Sequence, residues 1–336
     1  MSPDARAYLG TVRPAREGMQ TKTLQSDLLL LVAAFLWGTT FVAQRTAMDH
    51  LGPMLYNGLR FALGAATLFP VMLASRAGGG TGGDRRGGPI LLWGGILAGL
   101  ALFGGASMQQ MGLVYTTAGK AGFITSLYVV LVPIAGLFLG HRCGLTVWLG
   151  AILAVAGLYF LSAAESLTIA RGDLFVLIGA FFWTFHVHLI GYLARRADPL
   201  RIAGIQFLAC SALSLLVAVL HEEISLAAIR AATIPILYAG VFSAGVAFTL
   251  QIVCQRTSPP AHAAIVMSLE TVFAALAGYL MLDERLSSRD VVGCVLMFIG
   301  MVVVQLPLFR PSRAGNCPRR GSNAQPSAPE ADTLSN

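Results

Sequence analysis

Two stretches decide the fold of this chain: Asp27-Leu-Leu-Leu-Leu-Val-Ala-Ala-Phe-Leu-Trp37 and Asp173-Leu-Phe-Val-Leu-Ile-Gly-Ala-Phe-Phe-Trp183. Each opens a long apolar run, and they lie 146 residues apart. The correspondence continues along the chain: Arg60-Phe61 matches Gln206-Phe207 at 146 residues, Gly95 and Gln110 match Gly240 and Gln255 at 145, and Gly150 and Gly157 match Gly293 and Gly300 at 143. Because the offset changes by only three residues, from 146 to 143, the chain is interpreted as one structural unit that occurs twice.

The composition is that of a membrane protein. Of the 336 residues, 56% are hydrophobic and 12% are charged, whereas a soluble domain carries about 25% charge. The formal net charge of +7 does not indicate a nucleic-acid partner, because the charges lie between the apolar runs and in the tails rather than along one face. The five cysteines have no metal-ligand spacing, so we expect neither a metal site nor another cofactor.

Ten charge-poor segments approach the length of about 20 residues that a membrane-spanning helix needs. They are 28–45, 53–74, 89–112, 120–140, 146–163, 173–194, 201–220, 232–254, 261–282 and 290–309. The sequence therefore predicts an all-α membrane protein of ten transmembrane helices. The two five-helix repeats cover 27–163 and 173–309, and the polar segments 1–26 and 310–336 are predicted to be disordered tails.

The distribution of Lys and Arg predicts the orientation. If the N-terminus is cytoplasmic, sixteen of these residues lie on the cytoplasmic side and six on the other. Both tails are then cytoplasmic, in the cell (inner) membrane. Because five spans per repeat is an odd number, the second repeat is inserted upside down relative to the first, an arrangement that supports alternating access.

Two charged residues lie well inside predicted spans, Arg60 and Glu270. Burying such groups is costly, so both are expected to face a cavity or a partner. Counting residues from the span ends places them about 6 Å apart in depth. One interpretation is structural, either an ion pair between the two or Arg60 bonding the carbonyls of a helix end. The other is that Glu270 binds a proton or a cationic group and Arg60 an anionic one.

Three further polar or aromatic residues are candidates for the wall of a cavity. Trp37 lies too deep for an interfacial aromatic belt, so it either lines the pore or fills space beside small residues. Gln251 needs a hydrogen-bond partner, either in another helix or in the cavity. His186 and His188 point to different sides of one helix, and His186 is either a cavity group or a helix-packing residue.

The chain resembles the EamA-type members of the drug/metabolite transporter superfamily. The resemblance rests on Trp37-Gly38-Thr39-Thr40-Phe41, Asn57-Gly58-Leu59-Arg60-Phe61, Ala121-Gly122-Phe123-Ile124-Thr125-Ser126-Leu127-Tyr128, Ser268-Leu269-Glu270 and Leu282-Asp283-Glu284-Arg285-Leu286. It implies two inverted five-helix bundles, a central cavity, and export or exchange of small metabolites. Thr271 stands where the family frequently has Pro, and His141-Arg142 where the second repeat has Glu284-Arg285.

We therefore expect a secondary transporter of a small metabolite or drug-like molecule in the lipid bilayer, with protons as a candidate coupling ion and a homodimer as a candidate assembly. Glu270 would couple transport to an ion or recognise the substrate, and Arg60 would be its electrostatic partner. Trp37, Tyr128 and Gln251 would contact the substrate. The alternative is an integral membrane enzyme acting on a lipid-linked substrate, for which His221-Glu222-Glu223 is the candidate cluster. A channel is disfavoured because the sequence shows no selectivity-filter pattern.

Overall fold

A computed structural model describes residues 3–77, 88–141, 143–162, 171–281 and 287–306, and the regular structure in them is helical throughout. The helices are α1 Pro3–Ala47, α2 Pro53–Ala77, α3 Gly88–Leu113, α4 Ala118–Ser126, α5 Tyr128–Phe138, α6 Leu145–Ser162, α7 Arg171–Leu193, α8 Pro199–His221, α9 Leu226–Ala231, α10 Thr233–Tyr238, a π-helix Ala239–Phe248, α11 Thr249–Cys254, α12 Pro260–Met267, α13 Glu270–Met281 and α14 Ser288–Gln305. The predicted tail 310–336 lies outside these ranges.

Eight helices in the described ranges are long and apolar enough to cross a membrane, which confirms an all-helical, multi-pass membrane protein. A shorter apolar helix, Leu145–Phe160, and the 18-residue α14 coincide with the fifth and tenth predicted spans. The count of ten crossings stays a prediction. Helix α1 also begins at Pro3, where the sequence indicates a disordered tail. Once the apolar span has nucleated a helix, each added residue needs only to propagate it.

The main contacts between helices occur in matching pairs. Helix α1 packs against α12, α13 and the π-helix, which belong to the fourth and third spans of the second half. Helix α7 packs against α4, α5 and α3, which belong to the corresponding spans of the first half. The second spans, α2 and α8, pack against each other, as do the fifth spans, α6 and α14. The core therefore lies where the two halves meet.

The glycines repeated every seven residues on α6 and α14 predict a packing seam, which the structure confirms. A Cβ atom at Gly150 would lie 2.9 Å from the carbonyl oxygen of Gly300, and one at Gly157 would lie 2.5 Å from that of Gly293. Glycine is required here because the two backbones approach too closely for a side chain. The two contacts are equivalent by the repeat, because Gly150 corresponds to Gly293 and Gly300 corresponds to Gly157.

The fourth span of each half is broken at an equivalent place. The Leu127 amide donates to the carbonyl of Ile124 at 3.2 Å, and the Leu269 amide donates to that of Val266 at 3.3 Å. Both bonds are i to i−3, which tightens the chain and ends the preceding helix. Leu127 and Leu269 lie 142 residues apart, and the next residues, Tyr128 and Glu270, begin α5 and α13.

Candidate functional site

A central cavity lies between the two halves of the chain. It is lined by Trp37, Phe41, Gln44, Arg60, Gln109, Thr125, Tyr128, Trp183, Val187, Ser243, Phe248, Gln251, Met267 and Glu270. Five of the six residues that the sequence nominates are therefore brought together, namely Trp37, Arg60, Tyr128, Gln251 and Glu270. The sixth, His186, is not among the lining residues.

The cavity wall is built largely from equivalent residues of the two halves. Ten of the lining residues form five pairs: Trp37 with Trp183 and Phe41 with Val187 at an offset of 146, then Gln109 with Gln251, Thr125 with Met267 and Tyr128 with Glu270 at 142. The offset of 142 pairs Gln109 with Gln251 in the cavity wall, whereas the offset of 145 seen in the sequence pairs Gln110 with Gln255. The position equivalent to Glu270 is occupied by Tyr128, and the position equivalent to Arg60 is occupied by Gln206. Both charged residues therefore break the symmetry of the wall.

Arg60 is a buried cation, 3% exposed, without a carboxylate partner among the described residues. Its guanidinium carbon lies 5.4 Å from the ring centroid of Tyr56 and 4.8 Å from that of Phe61. Its Nε has no hydrogen-bond partner in the described protein. Aromatic faces attract a cation but do not neutralise it, so Arg60 presents an unsatisfied positive group at the cavity.

Glu270 is positioned by the break before α13 and by close packing on α1. A Cβ atom at Gly38 would lie 2.5 Å from the Glu270 carbonyl oxygen, so glycine permits this approach beside Trp37. The Ser126 hydroxyl donates to Glu270 Oε1 at 3.4 Å. Thr271, which replaces the family's frequent proline, bonds the Ser126 hydroxyl and donates to the Gly122 carbonyl at 3.2 Å. Neutral groups therefore hold this carboxyl side chain.

The two tryptophan–glutamine pairs of the wall differ. Trp183 Nε1 donates to Gln109 Oε1 at 3.1 Å, and Gln109 Nε2 donates to Gln44 Oε1 at 3.1 Å. In the equivalent pair, neither Trp37 Nε1 nor Gln251 Oε1 has a hydrogen-bond partner in the described part of the chain, although the Gln251 amide donates to Gln255 at 3.2 Å. One half of the wall is thus satisfied internally, while the other offers a donor and an acceptor.

In this structure His186 is not among the residues that line the cavity and packs between helices. Its side chain is fully buried, and its Nε2 lies 3.0 Å from Gln206 Oε1. Its ring meets those of Trp183 and Phe248 edge to face, with centroids 6.0 and 6.1 Å apart. His186 therefore supports two rings that do line the cavity.

The sequence did not nominate several lining residues, including Gln44, Ser243 and Phe248. Gln44 lies seven residues after Trp37, on the same face of α1, and this spacing was a usable signal. Ser243 and Phe248 belong to the π-helix, whose register departs from the 3.6-residue period, so helical spacing could not place them.

An ion pair lies at each end of the bundle. His262 Nε2 lies 2.7 Å from Asp27 Oδ1, and Lys120 Nζ lies 2.7 Å from Asp173 Oδ2. Thr116 also donates to Asp173 at 3.0 Å. Each pair joins the first span of one half to the fourth span of the other. All four side chains are largely buried, with at most 17% of any of them exposed.

The cluster His221-Glu222-Glu223, nominated for the enzyme alternative, contains a structural residue. The Glu222 carboxylate accepts hydrogen bonds from the backbone amides of Met54 at 2.8 Å and Leu55 at 2.7 Å. These are free amides in the first turn of α2, where a negative charge is also favoured by the helix dipole. In the described ranges, no group of three or more His, Cys, Asp and Glu side chains is arranged to hold a metal ion.

A multi-pass helical bundle whose two halves enclose a cavity lined by both polar and apolar side chains is an arrangement typical of membrane transporters. Comparison with known proteins agrees. The chain belongs to the EamA-like transporter family, whose model matches residues 24–163 and again 170–306. It is therefore a membrane transporter of that family.

Two of the related proteins are named as transporters. An uncharacterized transporter of Archaeoglobus fulgidus is 32% identical over 300 residues, which are 85% of this chain and 87% of that protein. The uncharacterized transporter YoaV of Bacillus subtilis is 21% identical over 81% of this chain and 94% of its own length, and a chloroplastic WAT1-related protein of Arabidopsis thaliana is 23% identical over 83% and 69%. A crystal structure with 22% sequence identity shares the fold, with a TM-score of 0.68 over 83% of this chain and 96% of that one.

Proposed function

We propose that this protein is a secondary active transporter that exports or exchanges a small polar molecule by alternating access, with the central cavity as its binding site. The ten spans would form two inverted five-helix repeats, both tails would be cytoplasmic, and the protein would lie in the cell (inner) membrane. The five equivalent pairs in the cavity wall support this arrangement, because a site on the axis between inverted repeats is lined by counterparts from both.

One observation carries the proposal: within the described ranges, three buried polar atoms on residues that line the cavity have no hydrogen-bond partner in the protein. Trp37 Nε1 and Arg60 Nε are donors, and Gln251 Oε1 is an acceptor. Leaving such groups unsatisfied costs about 1–3 kcal/mol each, and more for a charged group. A substrate that carries an anionic group and a hydrogen-bond donor would satisfy all three, and the rings of Trp37, Trp183 and Phe248 would enclose its apolar part.

Glu270 is the proposed coupling group. It is the lining residue whose charge a proton can remove, and only neutral groups of the protein bond its side chain. Protonation and substrate binding at one cavity would then compete or cooperate, which is how a gradient of one can drive the other.

The experiment is flux in proteoliposomes preloaded with a defined mixture of amino acids, organic acids and nucleosides. Efflux of each compound is followed by mass spectrometry, with and without a pH gradient. Selective efflux that Trp37→Ala abolishes supports the proposal. Equal efflux from liposomes with and without protein, for every compound in the mixture, contradicts it. Labelling of tagged termini in intact cells tests the topology, and tails on opposite sides of the membrane would overturn the inverted repeat.

A further inference from the structure

The two ion pairs are equivalent positions of the repeat occupied by different chemistry. Asp27 and Asp173 lie 146 residues apart, and Lys120 and His262 lie 142 residues apart, the offsets that also relate the residues of the cavity wall. The aspartates begin the first span of each half, and the two cations lie in the first turn of α4 and of α12. The pairs therefore correspond contact for contact.

They also lie at opposite ends of the bundle. Helix α1 rises about 25 Å over the 17 residues from Asp27 to Gln44. At the Gln44 end of this rise, the Gln110 side chain of α3 donates to the Gln44 carbonyl at 3.2 Å. Two residues further along α3, a Cβ atom at Gly112 would lie 2.8 Å from the carbonyl oxygen of Gly172, next to Asp173. The distance between the pairs is close to the thickness of the hydrocarbon core of a bilayer.

We infer that the Asp27–His262 and Lys120–Asp173 pairs are the two gates of the transporter, and that the Asp27–His262 gate responds to pH. The inference rests on the proposed alternating access. Opening the cavity at either end requires the first span of one half to separate from the fourth span of the other, and each pair spans one of these contacts. In a transport cycle the two pairs would break in turn.

The residue types make the gates unequal. Lysine keeps its charge throughout the physiological pH range, whereas histidine gains or loses its charge within it. A protonated imidazole bonds a carboxylate more strongly than a neutral one does. Acidification on the Asp27 side, which is the cytoplasmic side in the proposed orientation, therefore holds that gate closed. Because the two gates open in turn, it also shifts the population towards conformations in which the other gate is open.

Other titratable side chains lie on the elements that pack around the Asp27–His262 pair. The Cys254 thiol of α11 lies near Asp27. Where α12 packs on α5, α6 and α14, the hydrophobic cluster that contains Ala261 and Ile265 also contains Cys143. His188 of α7 stacks on His141, with ring centroids 5.8 Å apart. In the described ranges, Asp27 is the one carboxylate within ion-pairing distance of His262.

The test measures access to the cavity from each side of the membrane. Ser243, which lines the cavity, is replaced by cysteine in a variant whose five native cysteines are alanine. A membrane-impermeant sulfonated maleimide is applied from one side of oriented vesicles at varied pH. Each rate is divided by that of the same protein in dodecyl sulfate at the same pH, which removes the titration of the thiol itself.

We expect labelling from the Asp27 side to fall about fivefold between about pH 8 and about pH 5.5, and labelling from the other side not to fall. His262→Lys should abolish this pH dependence, and Lys120→His should create one on the Asp173 side. His262→Gln, which keeps a donor without titrating, serves if the lysine variant does not fold. Asp49→Asn, in an exposed ion pair, and His188→Gln should keep the wild-type profile.

Profiles that neither exchange alters overturn the gate assignment, as does a wild-type profile that is flat on the Asp27 side. Flux measured in parallel separates this failure from that of the proposed function. If efflux occurs and the profiles ignore both exchanges, the transporter proposal stands and the gates are wrong. If the profiles follow the exchanges and no efflux occurs, the pairs control access to the cavity and the transport proposal is wrong.

Discussion

Arg60 and Glu270 line the same cavity but form no ion pair with each other. Arg60 lies against the rings of Tyr56 and Phe61, and Glu270 is held by Ser126. Of the two interpretations that the sequence left open, a direct structural ion pair is thus wrong for this conformation. Two ionisable side chains kept apart in one cavity can each contact a different part of a substrate, which favours a role in substrate recognition over a purely structural one.

Arg60→Gln should weaken binding of an anionic substrate without weakening the fold. The substitution places in the first half the residue that the second half has at Gln206. A hydrogen bond to a charged group is worth about 1.5–3 kcal/mol, so the dissociation constant should rise roughly 10- to 100-fold. The compound found by the flux assay serves as ligand, and its Kd is measured by microcalorimetry. Thermal unfolding should not occur earlier, because the substitution breaks no ion pair.

The control for Arg60 is Arg45→Gln, which removes a cation from the exposed pair with Asp49. Such a pair contributes about 0–1 kcal/mol, and we expect the Kd to be unchanged. Loss of folding in Arg60→Gln with normal binding by the remaining folded protein would show that the arginine is structural.

Glu270→Gln should uncouple transport from protons. The amide keeps the size of the side chain and can still accept the Ser126 bond, but it cannot titrate. Exchange of substrate for substrate should persist, while efflux should lose its dependence on the pH gradient. Tyr128→Phe, at the equivalent position of the other half, should keep the shape of the pH profile. Wild-type flux in Glu270→Gln at every pH and gradient would remove the coupling role.

The membrane class and the cavity residues were predictable because the signals are local. Apolar run length defines a spanning helix directly, and burying Arg60 or Glu270 in lipid costs enough that either must face a polar space. Repetition then identified Trp37 together with Trp183. The same repetition, applied at an offset of 142 instead of 145, would have paired Gln109 with Gln251.

Other features depend on tertiary packing. The helix breaks occur at Leu127 and Leu269, and leucine favours helices. Intrinsic helix propensity therefore does not predict these breaks. Equal depth in the membrane placed Arg60 near Glu270 but says nothing about their lateral separation. The two-residue spacing of His186 and His188 shows that they face different sides, not which side faces the cavity.

Glu222→Ala should destabilise the protein, because two amides at the start of α2 lose their acceptor. Loss of a helix N-cap costs about 0.5–2 kcal/mol. The midpoint of thermal unfolding in detergent should fall, and flux per folded molecule should not. Glu223→Ala removes the neighbouring exposed carboxylate, which makes no such bonds, and should leave the midpoint unchanged. An equal fall in both variants would argue against capping, and loss of flux in Glu222→Ala alone would reopen a chemical role for this cluster.

Gly157→Ala should destabilise the seam between α6 and α14. The added methyl would lie 2.5 Å from the Gly293 carbonyl oxygen and 2.6 Å from Met297 Cγ, so the two helices must separate. Overpacking of this kind costs about 1–3 kcal/mol, against a gain of at most about 1 kcal/mol in helix propensity. Gly119→Ala is the matched control, because its Cβ would meet nothing within 4 Å. The unfolding midpoint should therefore fall in Gly157→Ala, and it should stay unchanged or rise in Gly119→Ala. If Gly157→Ala unfolds at the same temperature as the wild type or above it, the two backbones are not in the close contact that the repeated glycines indicate.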